Sequence, residues 1–355
     1  MNTVTQRERE LELLVISLSK KNQELEQLIE KEKKSNMSFI ELLDMFINEK
    51  QMAISTKCGY VNIVSNHLKP YFATKDVKIN DFNIFVVDEY IKYKQLEGLS
   101  NQTIKHHINV MKSAFTFGRK KGMTITSKVE TSIKLLVDPY KFDVLSFEEI
   151  LEYIKALENT DLYLPVLLSS MLGLRRSEVV GLKWKYVNFK TNEIYIHGAY
   201  IQCMDSVNKI SYEYYENNTK TKSSTRVYIA PIKLMDELRK YKERQLVNSK
   251  KSSYNFTNAE YICVKNNGDL IKPNYITKKH RILVKKIFPD KHIRFHDLRH
   301  SCATFLYEKF KYGIKDIQTY LGHSNPNFTV KTYIHTTTER KLDISNKIDK
   351  NLNLG

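Results

Sequence analysis

The chain has 355 residues, more than a single hydrophobic core usually organises, so two domains are expected. Hydrophobic residues make up 41%, and glycine and proline number only 11 and 7, which excludes a disordered or collagen-like chain. Lysine and arginine outnumber acids 57 to 40, and the resulting charge of +17 suits a polyanionic partner such as nucleic acid.

The four cysteines, Cys58, Cys203, Cys263 and Cys302, form no C-x-x-C pair, so neither a zinc knuckle nor a disulfide framework is expected. Reduced thiols fit a cytoplasm. The first ten residues are charged and lack the apolar stretch of a signal peptide. No apolar run approaches the roughly 18 residues of a membrane span.

Residues 6–34 are helical in composition. Leu11, Leu14, Leu18, Leu25 and Leu28 recur at alternating spacings of three and four, with Lys21 interrupting the row. That is a heptad seam of about three repeats. It is compatible with pairing to another helix and equally with an unpaired amphipathic arm. Ser38 and Glu41 have capping-box spacing, with Met37 and Leu42 as a hydrophobic staple, and Phe39, Leu42, Leu43, Phe46 and Ile47 give the helix one apolar face. Ser100 and Thr103 open a further helix. There Ile104, Ile108, Met111 and Phe115 share a face, while Lys105, His106, Lys112, Arg119 and Lys120 lie elsewhere. Such a helix, apolar behind and basic in front, can lie along a DNA groove.

Residues 128–144 lack periodicity and read as a linker. Ser146 and Glu149, with Leu145 and Ile150, repeat the capping-box and staple pattern and begin a second domain. Helices follow, broken at Gly173. Strands are expected at 193–197, 209–215 and 225–231, the last two joined by a polar turn at 216–224, and helices from 232 onward.

Four short motifs cross this second domain. In GLRRSEVVGLKW (173–184), Arg175 opens a helix and Glu178 lies one turn on, placed to orient a guanidinium. In TKTKSSTR (219–226), Lys222 sits in a turn from which it can reach into a site. In HDLRHSCATFL (296–306), His296 and Arg299 are three apart, which puts imidazole and guanidinium on one helical face, a pairing suited to a phosphate. No second ligand stands at metal spacing there, and His300 reads as a packing or capping residue. In LGHSNPNFTVKTYIH (321–335), Gly322 caps a helix carrying Ile314, Ile317 and Leu321, His323 follows at the turn, and Tyr333 lies ten residues beyond.

Taken together, the four motifs resemble the tyrosine recombinase, or phage integrase, family, as found in phages and conjugative transposons of low-GC bacteria. The resemblance spans about 38–340. It implies a mainly α fold with a small antiparallel β-sheet, divided into a charged helical extension (1–35), a helical core-binding domain (36–127), a linker (128–144) and an α+β catalytic domain with a C-terminal tail (145–355). A clamp around DNA is the implied arrangement. The implied catalytic set is Arg175, Lys222, His296, Arg299, His323 and Tyr333. Asn101, Thr103, Lys105, His106, Lys220, Ser223 and Arg226 are the candidate DNA contacts.

The implied activity is site-specific recombination through a 3′-phosphotyrosine intermediate, with no metal, cofactor or ATP. The two arginines hold the phosphate oxygens, His296 removes the phenol proton, Lys222 protonates the leaving oxygen and His323 donates a hydrogen bond to the phosphate. Glu178 and Asp297 read as supports, Asp297 also as a helix-start residue. Implied partners are double-stranded DNA, three further copies in a homotetramer on synapsed DNA, and accessory DNA-bending or excision factors, in a bacterial cytoplasm and without a membrane. The tail beyond Tyr333, with Leu342 and Ile344, is expected to dock on a neighbouring subunit. Two alternatives share the fold or the chemistry: a non-catalytic DNA-binding protein and a type IB topoisomerase. Met171 departs from the threonine many relatives carry, a change expected to alter packing alone. The first 35 residues do not resemble the small β-rich domain with which some integrases bind arm sites.

Overall fold

The computed structural model describes residues 2–125, 135–137, 142–205, 210–216, 226–251 and 253–322. The chain divides into two units, Met1–Pro139 with Cys203–Ser211, and Tyr140–Gln202 with Tyr212–Gly355. Among the described residues no helix is long and apolar enough to cross a membrane. All four cysteines are free thiols.

The first unit is helical. Helix α1 (Asn2–Ser35) is followed by α2 (Phe39–Glu49), which opens with the expected capping box: the Ser38 hydroxyl accepts from the Glu41 N–H, and the Glu41 carboxylate from the Ser38 N–H. Next come α3 (Ile54–Ile63), a π-helical turn (Val64–Leu68), α4 (Lys69–Phe72), α5 (Ile84–Leu96) and α6 (Asn101–Lys120). The widened turn has a cause in the sequence. Pro70 has no N–H to donate back along the helix, and the Lys69 N–H reaches to the Val64 carbonyl. The core is aromatic, with Phe39 stacked on Phe115 at 5.4 Å and edge-on to Phe72 at 4.9 Å. Ile104, Ile108, Met111 and Phe115 are all buried in it, as the spacing of α6 predicts. One polar pair lies inside: the Tyr90 hydroxyl and His107 Nδ1, 2.8 Å apart.

The second unit opens with α7 (Phe147–Ala156) under the second capping box. Helices α8 (Tyr163–Leu172) and α9 (Arg176–Gly181) follow. Strands β1 (Val187–Asn188), β2 (Glu193–Ile196) and β5 (Arg226–Ile229) form an antiparallel sheet with β2 central, while β3 (Ala199–Asp205) and β4 (Ile210–Glu216) pair separately. The strands flanking the polar turn are not partners in the described ladders: β5 pairs with β2, in the register Ile194–Tyr228. That register buries Ile194, Ile196 and Tyr228 on one face, and the burial decides the pairing. Helices α10 (Ile232–Ser249), α11 (Pro273–Ile287), α12 (Asp297–Glu308) and α13 (Ile314–Leu321) complete the described unit. α12 packs lengthwise on α8, burying Leu298, Cys302 and Phe305, and this contact carries the site.

Candidate active site

Two helix starts and two helix ends meet here, with Arg175 capping one start and His296 the other. Helix α8 ends at Gly173 in the left-handed conformation (φ 61°), which glycine adopts without a Cβ penalty. The chain then extends, so Arg175 is the N-cap of α9 rather than its first residue. Glu178, one turn on, accepts from the Arg175 backbone N–H and from its Nη1, each at 2.8 Å.

Glu178 is no surface partner. It is 3% exposed, and a second guanidinium closes it: Arg226 donates from Nη2 to Oε2 at 2.8 Å and from Nη1 to Oε1 at 3.1 Å. Arg226 Nε donates to the Tyr228 hydroxyl at 2.7 Å. Burial alone would raise the Glu178 pKa. The hydrogen bonds and charge of Arg226, and then Arg175, overcome this and hold it at about 2. Arg226, expected at the DNA surface, is turned inward as the counter-charge of Glu178. No local signal marked this role, since the contact joins the first residue of β5 to a helix 48 positions earlier.

Arg299 is 1% exposed. Its Nη1 donates to the Gly173 carbonyl at 2.6 Å and its Nη2 to the Leu321 carbonyl at 2.7 Å. Arg175 Nη2 donates to the next carbonyl, Gly322, at 3.3 Å. Both arginines therefore end on carbonyls at the C-terminal ends of α8 and α13, where helices leave oxygens unpaired and carry partial negative charge. Burial, and then the charge of Arg175, lower the Arg299 pKa to about 10, so it stays cationic at neutral pH.

His296 begins the helix that carries Arg299, in helical conformation and with its carbonyl accepting from the Arg299 N–H at 3.1 Å. It is the N-cap of α12, open to solvent, with Asp297 as the first helical residue. Desolvation by the surrounding protein, and then the Arg299 charge, push its pKa down to about 4, leaving the imidazole neutral at pH 7. Asp297 is fully buried and folds back on Arg294, accepting from its backbone N–H at 2.8 Å and its Nη2 at 2.9 Å. That contact pins the turn leading to His296. His300 packs, stacked on Phe142 at 4.5 Å. Met171, on the last turn of α8, lends its carbonyl to the Tyr320 hydroxyl at 3.2 Å.

The structure thus brings Arg175, His296 and Arg299 together around the Gly173 break. Gly322 is left-handed (φ 68°), the expected C-terminal cap of α13. Lys222, His323, Tyr333, Lys220, Ser223 and the C-terminal tail lie outside the described residues. A groove of about 810 Å³ in this unit, lined by Phe147, Leu151, Met171, Phe305 and Phe310 among others, contains none of the three.

Two surfaces carry hydrogen-bonding or cationic rows. α11 buries Pro273, Ile276, His280 and Val284 and exposes Lys278, Lys279, Arg281, Lys285 and Lys286. The Arg176 guanidinium, next to Arg175, donates to the Thr277 hydroxyl of the same helix. In the first unit, the solvent face of α6 has Asn109 on its midline between Gln102 and Thr116, with Lys105 on one flank and His106 on the other. Asn101 is engaged with the Leu136 carbonyl at 3.0 Å and with Gln95 at 2.9 Å, and the Thr103 hydroxyl with that of Ser100 at 2.9 Å.

Residues 143–340 match the phage integrase family. A tyrosine recombinase XerC-like protein of Caldanaerobacter subterraneus subsp. tengcongensis is 26% identical over 299 residues, covering 78% of this chain and 73% of its own length. The Tn1549 transposon integrase, solved with transposon right-end DNA, superposes with a TM-score of 0.71 at 18% identity, over 88% of this chain and 100% of that one. A lambda integrase tetramer bound to a Holliday junction gives 0.59 at 16% identity, over 84% of this chain and 78% of that one. With its mainly helical fold, its small antiparallel sheet and its paired arginines, this chain belongs to the phage integrase family and is a tyrosine recombinase, an enzyme of DNA strand transfer.

Proposed function

We propose that this recombinase cleaves and rejoins a specific duplex site through a 3′-phosphotyrosine intermediate, using Arg175, Lys222, His296, Arg299, His323 and Tyr333. The observation that carries the reading is the convergence of Arg175 and Arg299 on neighbouring carbonyls, Gly322 and Leu321, at the end of α13. The Arg175 side chain keeps about a third of its surface in solvent there, where a phosphate can reach it, and His323 is the next residue along the chain.

The chemistry follows from charge. A phosphodiester is anionic and gains charge on its non-bridging oxygens during attack. Donors aimed at that charge contribute about 3–4 kcal/mol each in comparable sites. Tyr333 attacks phosphorus as its proton passes to His296, which is neutral at pH 7 and so able to accept it. The P–O5′ bond breaks, and Lys222 protonates the leaving oxygen. The phosphotyrosine bond conserves the energy of the broken one, so a 5′-hydroxyl from another strand reseals the DNA without ATP. The guanidinium and ammonium charges fill the role a metal would otherwise have. The acids nearest the site, Glu178 and Asp297, are already held by arginines.

DNA recognition is assigned to the cationic row of α11 for phosphates, and to the α6 face, with Lys105 and His106, for base edges. Four copies on two synapsed duplexes are the proposed active assembly, supported by the lambda integrase tetramer of the same fold.

The test is Tyr333→Phe. Incubation of the wild type with its duplex site should give protein–DNA adducts that survive detergent. The variant should give none while binding the same duplex equally well. Adducts that persist in the variant would show that another residue is the nucleophile.

A further inference from the structure

We propose that helix α1 is a self-association element, pairing with α1 of a second copy of this chain, and not a DNA-binding arm. The first argument is charge. Residues 1–35 contain seven basic and seven acidic side chains, so the whole surplus of +17 resides in the remainder. An arm that neutralises phosphates needs excess cations, and this helix has none.

The second argument is exposure. Leu11, Leu14, Leu18 and Leu25 are between 51% and 58% exposed, and Leu13, Val15 and Ile16 beside them more so. Nothing among the described residues covers this row. A helix of 34 residues with an uncovered leucine seam asks for an apolar partner.

The third argument is period, which selects the partner. From Leu11 to Leu25 the steps are three, four, three and four, an average of about 3.5 residues, the repeat that keeps a seam facing another helix in a coiled coil. Leu11, Leu18 and Leu25 occupy one core position of the heptad; Leu14 and Lys21 occupy the other. The same seam on a second copy is its natural complement.

Size sets the strength. A helix about 50 Å long, packed at about 9 Å, offers roughly 450 Å² per partner, about half a standard interface. Association of free chains is therefore weak and is reinforced when copies share one DNA, where the effective concentration is high. Lys21 weakens it further by placing an ammonium in the seam.

That residue supplies the test, made on the full chain without DNA by sedimentation equilibrium. Lys21→Leu should tighten self-association at least tenfold. Lys20→Leu, one residue off the seam, should not. The double variant Leu18→Glu, Leu25→Glu should remain monomeric wherever K21L associates. Affinity for a duplex half-site should be the same in all four proteins. The proposal fails if K21L sediments as wild type does, if K20L matches it, or if the double glutamate variant loses half-site affinity, which would identify α1 as a DNA contact.

Discussion

Glu178 and Arg226 face each other with two hydrogen bonds, at 2.8 and 3.1 Å, and almost no solvent. The same carboxylate holds the backbone and guanidinium of Arg175. One buried charge thus fixes the angle at which Arg175 leaves the Gly173 break.

Replacing Glu178 by Gln keeps the shape and removes the charge. Arg226 then lies buried without its partner, at a cost of about 3–5 kcal/mol. The pH dependence has a definite sign. The folded-state pKa of about 2 lies below the ordinary 4.5, so the stabilisation is complete above pH 4.5 and is lost as pH falls toward 2. Urea unfolding should show a large gap between wild type and E178Q at pH 7. By pH 3 the gap should shrink by more than half. A gap that does not change with pH would mean that the carboxylate's charge is not what stabilises.

How much of this was legible in the sequence depends on distance along the chain. The capping boxes at Ser38 and Ser146 were readable because cap and partner are three residues apart. The Arg175–Glu178 pair and the Gly173 and Gly322 caps were readable for the same reason. Arg226 was not: its partner is 48 residues away, and a basic residue after a lysine-rich turn looks like a surface cation. The pairing of β5 with β2 escaped for a similar reason. His296 and Arg299 share a site as their spacing predicts: His296 is the N-cap in helical conformation, its carbonyl accepts from the Arg299 N–H, and Asp297 folds back on Arg294 to end the preceding turn.

Gly173→Ala tests the break itself. The left-handed conformation costs a residue with a Cβ about 1–2 kcal/mol. The new methyl group would also collide with the Leu321 side chain, adding about 1–3 kcal/mol of overpacking. Leu321 precedes Gly322, whose carbonyl Arg175 holds, so the collision displaces both arginine partners. Thermal unfolding should fall by several degrees, and cleavage should fall more than the loss of folded protein explains. Cleavage that merely tracks the folded fraction would detach the break from the site.

His280 predicts the behaviour in acid. It is 1% exposed on α11, its Nδ1 2.8 Å from the Tyr153 hydroxyl. Burial pushes its pKa down to about 4. An unfolded histidine takes a proton near pH 6.5, so between 6.5 and 4 the unfolded chain binds more protons and stability falls as pH falls. The full effect is about 3 kcal/mol. His280→Gln should be less stable at pH 7 and should flatten the decline of melting temperature between pH 6.5 and 4. An equally steep decline in H280Q would assign it to other groups, beginning with His300, which is also pushed down to about 4.

Phosphate contacts and base contacts leave different signatures, and the two exposed rows should separate them. Lys278, Arg281 and Lys285 lie on one side of α11 within three turns, on a helix tied to Arg176 through Thr277. Each that neutralises a phosphate releases a counterion, so each change to Gln should reduce the slope of log affinity against log salt by about 1 and weaken all duplexes alike. Asn109 and Gln102 carry no charge, and their amides can pair bidentately with adenine in the major groove. Asn109→Ala should leave the salt slope unchanged and cost about 1–3 kcal/mol on the preferred site alone. The measurement is a salt titration of binding to a cognate and a scrambled duplex. A changed slope in N109A, or an unchanged one in R281Q, would reverse the division of labour between the two helices.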